Sequence, residues 1–150
     1  MPSPFESAPR GIMVLNNFLF ASAAYFADCS ESHLFNPRWP PHARFHNGQS
    51  MSFGALAAGL AIYLLCRRSL SLEAAKDNLF SAACVGSLTT IAGLSAIFYP
   101  GTAWVDPEFA NGARIAPQVY VFWGQLLINW CAYVLEKGRL DKLEKPKRSI

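Results

Sequence analysis

The chain has 150 residues, the size of one domain. Charged residues make up 15% and hydrophobic residues 52%, with a mean hydropathy of +0.19, which excludes a disordered chain or a coiled coil and leaves few charges to cover a soluble surface. A net charge of +3 is too small to point to nucleic acid, so no nucleic-acid partner is expected.

The charges gather in connections and leave four runs free of Asp, Glu, Lys and Arg: Gly11 to Ala27, Phe45 to Cys66, Asn78 to Val105, and Ile115 to Leu135. Each is long enough for a helix to cross a hydrocarbon core, which takes about 17 to 25 residues. A globular bundle would place a charge about every turn on its outer faces, and a barrel would alternate polar and apolar residues. Neither pattern occurs. The expectation is an all-α integral membrane four-helix bundle, one domain, with helices over roughly 11–29, 41–66, 78–99 and 115–136 and a basic tail over 137–150.

In the first run, Arg10, an apolar stretch and Ala21-Ser22-Ala23 would also suit a cleaved secretory signal. The apolar run continues through Tyr25 and Phe26, however, and Asn16 and Asn17 interrupt it, which favours a retained span. In the second, Pro40-Pro41 predicts a helix start near Pro41. His42 and His46 then share a face at i and i+4, continued by Gln49, Ser50 and Phe53. Along the spans, Asn16, Asn17, Thr89, Thr90, Gln118, Gln125 and Asn129 are expected to hydrogen-bond between helices. Trp104, Tyr120, Trp123, Trp130 and Tyr133 are expected in packing or an interfacial belt first and a substrate wall second.

Basic residues set the orientation. With four spans, Arg10, the Arg67–Lys76 connection and the C-terminal tail share one side and carry ten Lys and Arg. The opposite side carries three: Arg38, Arg44 and Arg114. Both termini are therefore expected in the cytosol. The ending Lys147-Arg148-Ser149-Ile150 looks like a dibasic retrieval signal of the endoplasmic reticulum, or else a basic tail drawn to anionic lipid. The four cysteines show no framework spacing and are expected to serve packing, and no Asn-x-Ser/Thr acceptor occurs.

On the side away from the basic tails lie all three histidines and four acids, Asp28, Glu31, Asp106 and Glu108. Ionisable groups so close to hydrocarbon are costly and mark a site or an internal pair. Three readings compete. A His-x3-His metal site lacks a visible third ligand, so no metal and no cofactor are expected. In a purely structural cluster, Arg44 would pair with an acid while the histidines capped loops. The leading reading is acid–base chemistry, with Asp28 and Asp106 as base and acid, Arg44 tuning both, His42 and His46 positioning water, and Glu108 in reserve. Asn16, Trp39, Gln49, Gln118 and Tyr120 are the candidate substrate contacts. The partners expected are a lipophilic small molecule and membrane lipid, and homo-oligomerisation stays open. No nucleophile elbow, phosphate-cradling loop or dinucleotide fingerprint occurs.

The segment Asn36 to Gln49, N-P-R-W-P-P-H-A-R-F-H-N-G-Q, resembles the signature of small four-span membrane proteins found mainly in fungi. Some similar small membrane proteins accompany polyketide or meroterpenoid pathways as epoxide hydrolases or cyclases. The resemblance implies a cofactor-independent enzyme that opens or cyclises an epoxide on a lipophilic natural product. In architecture the chain also resembles the sterol-isomerase-like family, which implies as alternatives a proton-shuttling isomerase or a non-enzymatic lipid-binding scaffold.

Overall fold

The computed structural model describes residues 7–110, 112 and 115–144. Arg114, Lys145 and the dibasic pair Lys147-Arg148 lie outside them. Four long helices form the molecule: α1 (Ala8–Asp28), α2 (Pro41–Cys66), α3 (Leu72–Ser95) and α4 (Pro117–Glu144). Single 3-10 turns follow α3 (Ala96–Phe98) and precede α4 (Pro107–Phe109), and no strand occurs among the described residues. Each helix packs on its chain neighbours and α1 closes on α4, giving a square, up-and-down bundle.

Every helix extends beyond its charge-free stretch, α3 and α4 furthest. α3 begins at Leu72 rather than near 78 because Ser71 caps it, its Oγ accepting from Ala74 N at 3.1 Å, with Glu73 at the positive end of the helix dipole. α4 continues to Glu144, so much of the segment expected as a tail is helix. The reason is mutual: Lys76 on α3 binds Asp141 at 2.8 Å and Glu144 at 2.7 Å on α4. A charge-free run measures an apolar band, whereas a helix ends where its caps and pairs end. At its other end, α3 is closed by Thr102, whose Oγ1 donates to Ala96 O and Tyr99 O, with Gly101 at φ 77° turning the chain.

The packing is inverted relative to a water-soluble bundle. Inside sit Met13, Leu65, Leu79 and many small residues, among them Ala61, Ala82, Ala83 and Gly86. With them are buried Asn17, Ser87, Thr90, Gln125 and Asn129. The large apolar side chains point outward: Phe18, Leu19, Leu56, Tyr63, Phe80, Ile91, Trp123 and Leu127 are all exposed. Small and polar residues at helix contacts with bulky ones outside are how helices associate where the surroundings are as apolar as leucine. Pro41–Cys66 and Leu72–Phe98 are long and apolar enough to cross a membrane.

The interior polar groups are largely spent on one another. Gln125 donates to Gly86 O (2.8 Å) and accepts from Thr90 Oγ1 (2.9 Å), while Asn129 donates to Ala83 O and Ser87 Oγ. Asn16 crosses to Gln125 O at 3.1 Å, but Asn17 turns back to Met13 O of its own helix. The cysteines do not fill the core as expected: Cys29, Cys66 and Cys131 are exposed and only Cys84 is half-buried. Small side chains at those positions face outward because the helix faces they occupy carry the bulky apolar set.

Candidate functional site

Two polar ends close the bundle, and the one formed by the α1–α2 and α3–α4 connections holds the residues expected to do chemistry. The α1–α2 connection is folded tightly on itself: Leu34 N donates to Asp28 O, Phe35 N to Ser30 O, and Asn36 N to His33 O. Asn36 is its buried hub. Its Oδ1 accepts from Arg38 N (3.0 Å), and its carbonyl accepts from Trp39 N and from Arg44 Nη2 at 2.7 Å.

Arg44 is therefore a lock holding this connection onto α2. The expected acid–Arg–acid cluster does not form: among the described residues Arg44 makes no ion pair. Burial of the Asn36 carbonyl demands a donor, and Arg44, one turn into α2, supplies it. Glu108 is bound by Arg38, a link between the two connections. Asp106 Oδ2 accepts from Trp39 Nε1 at 3.2 Å, a second such link.

Asp28 is the best-placed carboxylate. It ends α1, is 26% exposed, and accepts from Asn47 Nδ2 of α2 at 3.0 Å through Oδ2. Its other oxygen faces His33 Nε2 at 3.9 Å. The His33 ring packs edge-on to Trp39, centroids 5.6 Å apart, while its Nδ1 bonds Ser32 Oγ at 2.8 Å. Asp28, His33, Trp39 and Asp106 thus form a continuous row, with a carboxylate at each end.

The remaining candidates lie apart from this row. His42 and His46 are exposed and face each other, Nε2 to Nε2, at 3.0 Å, and Gln49 Oε1 sits 3.0 Å from His46 Nδ1. Gln118 of α4 donates to Trp104 O and pins the α3–α4 connection. Tyr120 points outward among the exposed aromatics. Asn16 lines a groove of about 260 Å³ between α1 and α4, beside Phe20, Gln125 and Ile128. A similar groove of about 250 Å³, lined by Phe18, Tyr25, Ala58 and Ile62, lies between α1 and α2 and ends one helical turn from Asp28. Both are open lateral clefts. Among the described residues no group of three or more His, Cys, Asp and Glu side chains is disposed to hold a metal ion.

At the opposite end, Glu136 of α4 is completely buried. Its Oε2 accepts from Ser7 Oγ and from Arg139 Nε (2.9 Å), and its Oε1 meets Arg139 Nη2 (2.8 Å) and Arg10 Nη2 (3.2 Å). The clasp ties the start of α1 to α4. One turn further, hydrogen bonds from Lys137 and Lys76 hold the Asp141 carboxyl down to about 2. Reasoning from the sequence missed Glu136, Asn47 and His33 as organising residues. The available signals were a lone Glu at the edge of an apolar run with Arg three residues on, and a His soon after Asp28 in the chain; no local signal pointed to Asn47, 19 residues beyond Asp28.

Neither the curated proteins nor the solved structures contain a match to this chain. Residues 13–147, about nine-tenths of its length, match a family of unknown function (DUF6640), and the chain belongs to that family.

Proposed function

We propose that the protein is a four-span membrane enzyme whose acid–base site is the row Asp28–His33–Trp39–Asp106. The observation that carries this reading is the carboxylate of Asp28, oriented by Asn47 and set beside the His33 imidazole at the edge of an apolar band. A partly exposed acid and an imidazole within one water's reach are what proton transfer to a small substrate requires. Four spans are supported by the inverted packing and by the charge-free stretches of α1 and α4 beside the two strongly apolar helices. The ten-to-three division of Lys and Arg favours cytosolic termini, with the row on the lumenal face of the endoplasmic reticulum.

The substrate class that fits is a lipophilic polyketide or terpenoid carrying an epoxide. Its apolar body would lie along the α1–α2 groove from Ile62 to Tyr25, presenting the oxygen to the row. Asp28, fixed by Asn47, takes a proton from water as the water oxygen attacks a ring carbon. The carbon–oxygen bond breaks, its electron pair passes to the ring oxygen, and that oxygen takes a proton from His33 or from protonated Asp106. Water adds and a diol results. A substrate hydroxyl in place of water closes an ether ring at constant mass. This chemistry draws on side chains alone.

A second reading, a lipid-binding scaffold, is favoured by one observation: Arg44, Arg38 and Trp39 are all engaged in fastening the connections. The two are separated by Asp28→Asn and Asp106→Asn, which keep size and hydrogen bonding but remove the titrating proton. For the enzyme, membranes bearing either variant convert polyene epoxides at least about 10²-fold more slowly at unchanged folded yield. Full turnover in both variants excludes the row as the site. Lost folded yield, with no turnover by the parent protein, establishes the scaffold.

A further inference from the structure

We propose that His42 and His46 form a two-nitrogen site for a divalent ion of tetragonal preference, Cu2+ before Ni2+. Both residues stand in the first two turns of α2, exposed on the surface of the bundle, their positions fixed by the helix that Pro41 begins. Spacing alone gives only a shared face; the ring geometry adds the site. The two Nε2 atoms converge to 3.0 Å with ring planes at 75°.

The surroundings hold the rings in that pose. Gln49 Oε1 lies 3.0 Å from His46 Nδ1, so that nitrogen donates to it, and His46 Nε2 accepts from His42 Nε2–H at 3.0 Å, the proton whose place a bound ion would take. The Phe45 ring lies parallel to His42 (2°, centroids 6.1 Å apart) and edge-on to His46 at 5.5 Å. Arg44, the nearest cation in the chain, is turned away to the Asn36 carbonyl. This is a ligand pair with its outer partner already placed.

The ligand type selects the ion. Two imidazole nitrogens suit copper and nickel, and adjacent positions of a tetragonal complex, about 90° apart, are reached with little movement of rings already 3.0 Å apart. Among these divalent ions copper binds nitrogen most strongly. No third His, Cys, Asp or Glu joins the pair among the described residues, so water or an incoming ligand takes the other positions. The bound ion is accordingly exchangeable and accessible from the lumenal side. The site shares no residue with the Asp28–His33 row, so its failure and that of the enzyme reading are separate results.

The test is a Cu2+ titration of the purified protein in lipid nanodiscs, read by electron paramagnetic resonance. One ion per chain is expected, with an axial spectrum and coupling to two imidazole nitrogens. His42→Ala and His46→Ala should each weaken binding at least about tenfold and leave one coupled nitrogen, while Gln49→Ala weakens it by about tenfold through loss of the outer partner. Both histidines are exposed, and circular dichroism of each variant checks that α2 is kept. Unchanged affinity and unchanged nitrogen coupling in the two histidine variants would overturn the proposal, as would a tetrahedrally distorted spectrum.

Discussion

Glu136→Gln is the sharpest test of the clasp between the start of α1 and α4. The carboxylate accepts from Ser7 and Arg139 Nε on Oε2 and from Arg139 Nη2 on Oε1, and Oε1 also pairs with Arg10 Nη2 at 3.2 Å. Glutamine keeps the volume but replaces one oxygen with a donor. Whichever way the amide turns, its nitrogen meets Arg139, which cannot accept, so one hydrogen bond is lost together with the ion pairs to Arg10 and Arg139. Hydrogen bonds to charged groups contribute about 1.5–3 kcal/mol each, and breaking a buried ion pair costs about 3–5 kcal/mol. Arg139 is one-third exposed, which screens its share and places the expected loss near the lower bound, about 3 kcal/mol. That is about two orders of magnitude in the folded-to-unfolded ratio. SDS-titrated unfolding in detergent micelles, followed by tryptophan fluorescence, measures it, and a double-mutant cycle with Arg10→Met should return a coupling of about 1 kcal/mol or more. A loss under about 0.5 kcal/mol, the level of an ordinary surface substitution, would mean that Glu136 faces water and that α1 is not fastened there.

A methyl on Gly86 would run into the buried amide of Asn17, so Gly86→Ala should lower stability by about 1–3 kcal/mol despite the helix-favouring alanine, whereas Gly54→Ala, meeting only Thr89 Cγ2 at 3.4 Å, should raise it by up to about 1 kcal/mol; thermal unfolding of the pair in detergent compares them. Because the folded carboxyl of Asp141 lies at about 2, below its ordinary value, its contacts with Lys137 and Lys76 are complete above about pH 4 and are lost as pH falls through 2. A carbon-13 titration should find that low midpoint and see it rise in Lys137→Gln; an ordinary midpoint in the parent protein would refute the pairing. Cysteine labelling in sealed microsomes should find positions 68 and 142 on the cytosolic face and position 38 protected, and labelling of 38 from outside would invert the topology.

The helical class and the two strongly apolar helices, α2 and α3, were legible in the sequence, because absence of charge over twenty or more residues is a property of composition that tertiary contacts cannot undo. The ends of α3 and α4 were not, since Lys76, Asp141 and Glu144 read singly as solvated charges and become helix-extending only when two helices bring them together. The histidine pair was legible because a helix fixes i and i+4 locally. Arg44 was misjudged for the opposite reason. Charge counting sends an arginine to the nearest carboxylate, but the stronger demand came from the buried carbonyl of Asn36, a backbone group that no composition reveals. The role of Asn47 beside Asp28 likewise depended on where α1 crosses α2.

The polar ladder between α3 and α4 has a consequence for alignment. Alanine faces such as Ala82, Ala83 and Ala132 are smooth, and two such helices could slide past one another by a turn at little cost in contact area. Five hydrogen bonds forbid it: Gln125, Asn129 and Trp130 of α4 donate to Gly86 O, Ala83 O and Ser87 Oγ of α3, and Thr90 of α3 donates to Gln125 Oε1. Gln125 and Asn129 differ by one methylene, so a one-turn slip sets the shorter amide where the longer one is needed. At about 0.6 kcal/mol for each bond in an apolar surround, the ladder is worth about 3 kcal/mol, modest as adhesion. As a choice between axial settings it is a factor of about 150, enough to leave a single register populated. That register carries α4 past α3 by the amount that sets Glu144 against Lys76 at one end and Gln118 under Trp104 at the other.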